Sequence, residues 1–237
     1  MNESKSVNMK NGLVSVVIPM YNASDFIKKT LESVLDQSYK YLEIIVVDNC
    51  SNDNSIDIVK EFDDDRIKLH INEKNLGFSG NVNKGISLSK GEYIKFLCAD
   101  DELKPNCIEE FINIANQGND VIYCNCEYID KDERIIVDKA GEKKDFVILN
   151  DNKSLNNLFV GKPNIYCCIS FLMVKNVFTS RFEDIDNSSY NSDLVFMFDL
   201  INEFGRLYYT NLKLINLRRH ETHGTYKSNG NEIFRLP

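Results

Sequence analysis

Residues 93–101 read Tyr93-Ile94-Lys95-Phe96-Leu97-Cys98-Ala99-Asp100-Asp101, an apolar strand pattern that ends directly on acids. A second strand pattern, Glu43 to Val47, is also followed by an acid, Asp48. A third, Leu13 to Ile18, runs into the turn Pro19-Met20-Tyr21-Asn22. The ligand crevice of an open parallel sheet lies at the carboxyl ends of its strands, so we expect these polar groups to share one site. Acids in such a place favour a divalent cation, with phosphates bound through the metal.

Strand and helix patterns alternate along the first half of the chain, which is typical of βαβ units and a parallel sheet. The second half adds strand patterns, and no linker separates it from the first. One domain of residues 13–237 is therefore expected, after a flexible N-terminal segment of residues 1–12. Predicted helices cover about residues 26–35, 56–62, 78–88, 106–115, 155–160 and 193–204. Further strands cover about 66–71, 121–124, 135–137 and 165–174, and two strand pieces, 207–209 and 212–217, form a closing strand region. Residues 141–152 are predicted to be a loop.

Composition and charge exclude some classes of function. The 237 residues are 43% hydrophobic and 27% charged, which is ordinary for a globular protein. The net charge of -8 argues against a nucleic-acid partner, because phosphate contacts need a basic surface. No apolar run approaches the roughly 20 residues of a spanning helix, and the polar N-terminus does not resemble a secretory signal. We therefore expect a cytoplasmic protein.

The seven cysteines are an odd number, scattered along the chain, which fits a reducing compartment better than a disulfide scaffold. Cys124 with Cys126, and Cys167 with Cys168, are candidates for metal ligands. Both pairs lie in strand-like runs and lack partner pairs at zinc spacing. Buried free thiols are the favoured interpretation.

The turn after the first strand contains no glycine, so the dinucleotide-binding and P-loop patterns are absent. Phosphates are then not expected on the first helix, and a cation on Asp100 and Asp101 is the remaining way to hold a diphosphate. Tyr21 can offer a ring face to a base, and Asp48 can accept a hydrogen bond from a base or ribose. The alternatives are that Tyr21 packs on the sheet edge and that Asp48 caps the following turn.

Several ordered motifs together resemble family 2 glycosyltransferases of the GT-A fold. The first half carries this resemblance strongly, over about residues 13–104, and it continues more loosely to about His223. Its motifs are Val14 to Asn22, Glu43 to Asp53, Asn75-Leu76-Gly77 with Asn83 and Gly85, and Gly91 to Asp101. The fold class implied is α/β, a single GT-A-type domain with a mostly parallel central sheet flanked by helices and a small secondary antiparallel element. Residues 13–104 would form the nucleotide-sugar-binding half and residues 105–237 the acceptor-facing half.

The family resemblance also implies a chemistry, an inverting transfer of a sugar from a nucleotide sugar that depends on Mn or Mg. The donor is expected to be UDP-linked. The metal ligands implied are Asp100, with Asp101 beside it, and His220. Cys98 and Asn49 depart from the family pattern, which often has Asp at both positions. The donor-binding residues implied are Pro19, Tyr21, Asn22, Asp48, Asn75, Gly77, Asn83, Asp100 and Arg218.

By resemblance, Asp193 matches the catalytic base that removes the acceptor proton, and Ser192 stands where Glu is common. The alternative is that Asp193, near a helix N-terminus, is a routine cap or a partner of the helix dipole. Glu183, Asp184 and Asp186 are rival candidates for the base. The basic segment Arg218-Arg219-His220 resembles one near the donor diphosphate in the family, and the alternative is a solvated strand end.

The function expected is therefore sugar transfer to a saccharide or lipid-linked saccharide acceptor, as in envelope or capsule assembly. A catalytically silent nucleotide-sugar-binding module of the same fold is the alternative, given Cys98 and Ser192. The sequence leaves open whether the chain forms a homodimer or makes peripheral contact with the inner face of a membrane.

Overall fold

A computed structural model describes residues 10–137, 142–159, 168–183 and 189–220. Within these ranges all strands join one sheet, whose main path runs β3-β2-β1-β4-β9-β6-β10-β5. The strands are β1 (Lys10–Met20), β2 (Leu42–Asp48), β3 (Ile67–Ile71), β4 (Gly91–Phe96), β5 (Glu102–Leu103), β6 (Val121–Ile129), β7 (Ile135–Val137), β8 (Phe146–Leu149), β9 (Leu172–Lys175) and β10 (Arg206–Arg218). The helices are α1 (Ile27–Leu35), α2 (Ser55–Lys60), α3 (Gly77–Leu88), α4 (Cys107–Ala115), α5 (Asn152–Phe159) and α6 (Ser189–Phe204).

The first half is the predicted parallel sheet. Strands β3, β2, β1 and β4 pair in parallel, and every residue of β2 is buried. A strand buried on both faces needs helices over both faces, which explains its continuous Ile and Val run. The register places Met20 opposite Asp48 and Val17 opposite Phe96. The ends of β1, β2 and β4 therefore lie at one edge, as the acids at the strand ends predicted.

The second half extends the same sheet. Strand β9 pairs antiparallel with both β4 and β6, and β10 pairs in parallel with β6. The antiparallel element expected from the family is found as β7 on β6, with β5 and β8 on β10. Strand β10 is continuous where two strand pieces were predicted. Its register against β6 shifts between Tyr209 and Ile215, and such irregularity hides a strand from a period-2 pattern.

Several boundaries differ from the predictions. Strand β1 begins at Lys10, so residues 10–12 belong to the sheet, and the rest of the predicted flexible segment lies outside the described residues. The predicted loop over 141–152 is wrong, because Ile148 is buried and pairs with Leu207 in β8. Part of the predicted strand over 165–174 lies outside the described residues, and its described part is a 3-10 turn, Ile169–Phe171, leading into β9. Helix α6 begins at Ser189, four residues before Asp193.

One glycine of α3 is required by close packing against β1. A Cβ atom on Gly85 would lie 2.3 Å from Val17 Cγ1, so the helix approaches β1 too closely for a side chain. Gly77 has a φ of +73° at the start of the helix. None of the described helices has the length and apolar character that a membrane span requires.

Candidate functional site

The acids after β4 lie on a tight turn, Cys98 to Asp101, closed by a hydrogen bond of 3.1 Å from Asp101 N–H to the Cys98 carbonyl. The residue before the turn is held to β1, because Leu97 N–H donates to the Val17 carbonyl at 3.0 Å. The turn itself is held to α1, since the Thr30 hydroxyl donates to the Ala99 carbonyl at 2.9 Å. The turn is therefore a fixed platform for Asp100.

Asp100 meets His220 on this platform. The Asp100 Oδ2 and His220 Nε2 atoms are 3.0 Å apart, although the two residues are 120 positions apart in the chain. The His220 ring packs on Phe26 with a centroid distance of 4.3 Å. A carboxylate oxygen and an imidazole nitrogen 3.0 Å apart can bind one divalent cation together with further oxygen ligands. These two predicted metal residues therefore fit the group that the family implies.

Asp101, the third predicted metal residue, is held differently. Its carboxylate is buried and accepts hydrogen bonds at both oxygens, from the Ser170 hydroxyl at 2.6 Å and from Arg218 N–H at 3.0 Å. Burial, reinforced by the neighbouring Asp100 charge, raises the pKa of Asp101 well above its ordinary value, although these two hydrogen bonds oppose the shift. Both oxygens are thus engaged by the protein in the described structure.

Arg218 was predicted to contact the donor, and the structure places its guanidinium inside the protein. Its side chain is 1% exposed and forms an ion pair with Glu102. Its Nε donates to the Asp100 carbonyl at 3.0 Å, and its Nη1 donates to the Asp130 carbonyl at 3.0 Å. The cation also stands 5.4 Å from the centre of the Phe26 ring. These contacts tie β10 to the turn that carries Asp100.

The ends of β1 and β2 form a second part of the site. Asp48 is fully buried, and its Oδ2 accepts a hydrogen bond of 3.0 Å from Ser51 N–H. Its Oδ1 is buried too and has no hydrogen-bond partner among the described residues. A buried carboxylate oxygen left in this state is costly and indicates a missing donor. Asp48 thus caps the following turn through Oδ2, as in the alternative interpretation, and its Oδ1 remains able to accept a hydrogen bond.

Tyr21 lies just after β1, in one of two loops that hydrogen-bond to each other. The Tyr21 side chain is half exposed and follows Pro19 and Met20 at the end of β1. Asn22, at a φ of +49°, accepts a hydrogen bond of 2.9 Å from Asn52 N–H. Its own N–H donates to the Ser51 hydroxyl at 2.9 Å. The two loops are clamped together, so Asn22 shapes this part of the site.

Asn75 and Gly77 take part in a hydrogen-bond network around Asn49, the residue that follows Asp48. The Asn49 amide donates to Asn75 Oδ1 at 2.9 Å and to the Gly77 carbonyl at 3.1 Å. Asn49 Oδ1 accepts from Leu76 N–H at 2.8 Å. An aspartate could not donate these bonds, which explains why this chain has Asn at the position. Asn83, another predicted donor-binding residue, instead holds the backbone of Phe182 through its amide, at 2.7 and 3.0 Å.

Asp193 lies in the second turn of α6, so the interpretation as a helix cap is wrong. Its Oδ1 is buried and has no hydrogen-bond partner among the described residues. Burial raises the pKa of Asp193 well above the ordinary value of an aspartate. Of the rival bases, Glu183 is exposed, and Asp184 and Asp186 lie outside the described residues.

Comparison with known proteins shows which family the chain belongs to. A protein-family model described as Glycosyl transferase family 2 matches residues 15–178. The chain belongs to glycosyltransferase family 2. The expected family and fold are therefore confirmed.

Relatives of this family 2 chain include an uncharacterized glycosyltransferase of Rickettsia bellii, 30% identical over 91% of this chain and 31% of the relative. The GalNAc(5)-diNAcBac-PP-undecaprenol beta-1,3-glucosyltransferase of Campylobacter jejuni is 32% identical over 68% of this chain and 62% of its own length. A crystal structure of S. aureus TarS 1-349 in complex with UDP-GlcNAc has the same fold, with a TM-score of 0.73 at 19% identity, over 91% of this chain and 61% of the TarS 1-349 chain. The chain thus spans less than two thirds of the length of each of these proteins.

The cysteines of this family 2 chain are free among the described residues. Cys124 and Cys126 are buried, as predicted, whereas Cys168 is partly exposed and Cys167 lies outside the described residues. Cys98 and Cys168 form a potential ligand group with Asp101, with ligand atoms within 4.8 Å of one another. No sequence pattern marked this group, because 70 positions separate the two thiols and neither is in a zinc-spacing motif.

Proposed function

We propose that this chain transfers a sugar, with inversion and dependence on Mn or Mg, from a UDP-sugar to a saccharide or lipid-linked saccharide acceptor. One observation carries the proposal. Asp100 Oδ2 and His220 Nε2 lie 3.0 Å apart, at the edge of the sheet where β1 and β2 also end. The complex of TarS with UDP-GlcNAc supports the donor class, and the name of the Campylobacter enzyme supports the acceptor class.

In this proposal the strand ends bind the donor. Asp48 Oδ1 accepts from the base or ribose, which supplies the hydrogen bond that this buried oxygen lacks among the described residues. The half-exposed ring of Tyr21 stacks on the base. Asp100 and His220 would hold the metal, and a bound divalent ion would stabilise the charge of the leaving diphosphate.

The acceptor side of the reaction needs one base. An inverting displacement requires a carboxylate that takes the acceptor hydroxyl proton as the anomeric carbon is attacked. A base is most effective when its pKa is near the working pH, and burial moves the pKa of Asp193 upward in that direction. The family resemblance matches Asp193 to this base, and the raised pKa supports that role in the proposed reaction.

Ligand binding and turnover test this function separately. Calorimetry with UDP and UDP-sugars, with Mn²⁺ or with EDTA, should show metal-dependent binding by the wild type. Asp100→Asn should weaken that binding strongly. Asp120→Asn is the control, because Asp120 is an aspartate at the opposite edge of the sheet, 3.4 Å from Lys175. Binding that is equal in both variants, or that does not need metal, would refute the metal role of Asp100.

Turnover is followed as UDP release and product mass with saccharide and undecaprenol-linked acceptors. The proposed function predicts product with at least one UDP-sugar and acceptor. Metal-dependent binding without product from any acceptor would instead support the silent binding module. No binding of any nucleotide sugar would refute both hypotheses.

A further inference from the structure

Ser170 is a fully buried residue on the 3-10 turn before β9, and no sequence motif marked it. Its hydroxyl donates to Asp101 Oδ2 at 2.6 Å. The oxygen of the same hydroxyl accepts a hydrogen bond of 2.9 Å from Cys98 N–H. One hydroxyl therefore bonds both the first and the last residue of the turn that carries Asp100.

This arrangement restrains the turn around Asp100. The turn has its own hydrogen bond of 3.1 Å between Asp101 N–H and the Cys98 carbonyl. Ser170 adds a bond at each end of that turn from outside, and Asp100 lies between the two ends. Loss of the hydroxyl would leave Cys98 N–H and Asp101 Oδ2 without these partners, and the turn could then relax.

The backbone of Ser170 is held by a buried lysine, Lys95. Lys95 is fully buried in β4, and its ammonium donates to three carbonyls, those of Ser170, of Phe96 at 2.8 Å and of Leu172 at 3.5 Å. A buried lysine is costly unless its donors are satisfied, and these carbonyls satisfy them. Lys95 thus fixes Ser170 relative to the strand from which the turn emerges.

We propose that Ser170 is a positioning residue that sets the orientation of Asp100 for the divalent cation. The inference rests on the proposed function, because it presumes that Asp100 binds a metal. When a residue that orients a metal ligand without binding the metal is replaced, metal affinity commonly falls by about 10- to 100-fold. Ser170 acts through the turn and does not touch the metal.

The chain offers a matched control in Ser15. Ser15 is also fully buried, and its hydroxyl donates to a carboxylate, Glu43, at 2.7 Å and accepts from Gly91 N–H at 2.8 Å. It makes the same pair of bonds as Ser170, but near the beginnings of β2 and β4, at the opposite edge of the sheet. Ser15→Ala and Ser170→Ala therefore remove chemically equivalent bonds at different distances from Asp100.

The test measures Mn²⁺ binding without turnover, by the electron paramagnetic resonance signal of free Mn²⁺ in the presence of UDP. Both variants should unfold at lower denaturant concentration than the wild type. Only Ser170→Ala should weaken Mn²⁺ binding, by about 10- to 100-fold. Its activity should recover at saturating Mn²⁺, which a general loss of fold would not allow.

Equal Mn²⁺ affinity in the two variants, or a loss that excess Mn²⁺ does not restore, would overturn the positioning role. If Ser170→Ala fails to fold, Ser170→Cys keeps a weak donor at the position and should show an intermediate loss of affinity. Full wild-type affinity in Ser170→Cys would then also refute the inference. A wild type that binds no Mn²⁺ would instead remove the proposed function and this inference with it.

Discussion

The proposed chemistry depends on Asp193, a partly buried residue of α6. Asp193 has one oxygen with no hydrogen-bond partner among the described residues, and burial raises its pKa. We expect Asp193→Asn to lower kcat by about 10²- to 10⁴-fold, because the amide cannot accept the acceptor proton. Binding of UDP with Mn²⁺ should be unchanged, since Asp193 acts on the acceptor side. Calorimetry and steady-state kinetics measure the two effects, and a kcat that survives would assign the base elsewhere.

The same substitution should change how stability depends on pH. A carboxyl whose pKa is raised by folding contributes stability that is fully present below its unfolded pKa of about 3.9 and is lost as pH rises through the folded pKa. Asp193→Asn removes this loss. The variant should therefore be more stable than the wild type at pH 8, and the difference should shrink toward pH 4. Urea midpoints across this range measure it, and a difference that does not vary with pH would contradict the raised pKa.

Helix α3 shows how one element is fitted to its neighbour. A Cβ on Gly85 would meet Val17 Cγ1 at 2.3 Å, so Gly85→Ala forces the helix away from β1. Overpacking of this kind typically costs about 1–3 kcal/mol, which outweighs the gain in helix propensity of about 1 kcal/mol. We expect Gly85→Ala to lower the free energy of unfolding, as measured by urea denaturation.

A double-mutant cycle identifies the cause of that loss. Val17→Ala removes the atom that the new methyl group would meet, so the double variant should be more stable than the sum of the single losses predicts. Strict additivity would show that Gly85 is needed for another reason. Ala23, also buried but in the loop between β1 and α1, can be changed to Gly to check that losses at separate sites add.

At the scale of the whole molecule, one arginine joins the end of β10 to the first half. Arg218 contacts Glu102, the Asp100 carbonyl and the Asp130 carbonyl, and it is 1% exposed. Removing one partner of a buried ion pair typically costs about 3–5 kcal/mol, so we expect Arg218→Met to lower the free energy of unfolding by that amount. Arg206→Met, at the exposed start of the same strand, should cost about 0.5 kcal/mol.

Chemical denaturation of the two arginine variants measures this difference. Arg218→Met should also weaken Mn²⁺ binding, because the guanidinium holds the Asp100 carbonyl at 3.0 Å. Similar losses of stability at positions 206 and 218 would show that the buried contacts are not the source of the effect.

Local patterns predicted the parallel half of the fold and the position of the site. The apolar runs of β1, β2 and β4 and the acids that follow them are visible in short windows of sequence. The second half was harder to predict. Strand β8 is four residues long and becomes a strand only by pairing with β10, while the irregular register of β10 interrupts its pattern.

The sequence by itself determined that acids follow buried parallel strands, and that the turn after β1 has no phosphate-binding glycines, because both properties reside in neighbouring residues. Only the tertiary structure decided which polar atoms face inward. Asp101 meets Ser170 across 69 positions and Arg218 across 117, and Asn83 holds Phe182 across 99. Hydrogen bonds between residues so far apart depend on how the strands and helices pack. A motif can therefore mark an aspartate as a ligand, but packing decides which of its oxygens are already bonded.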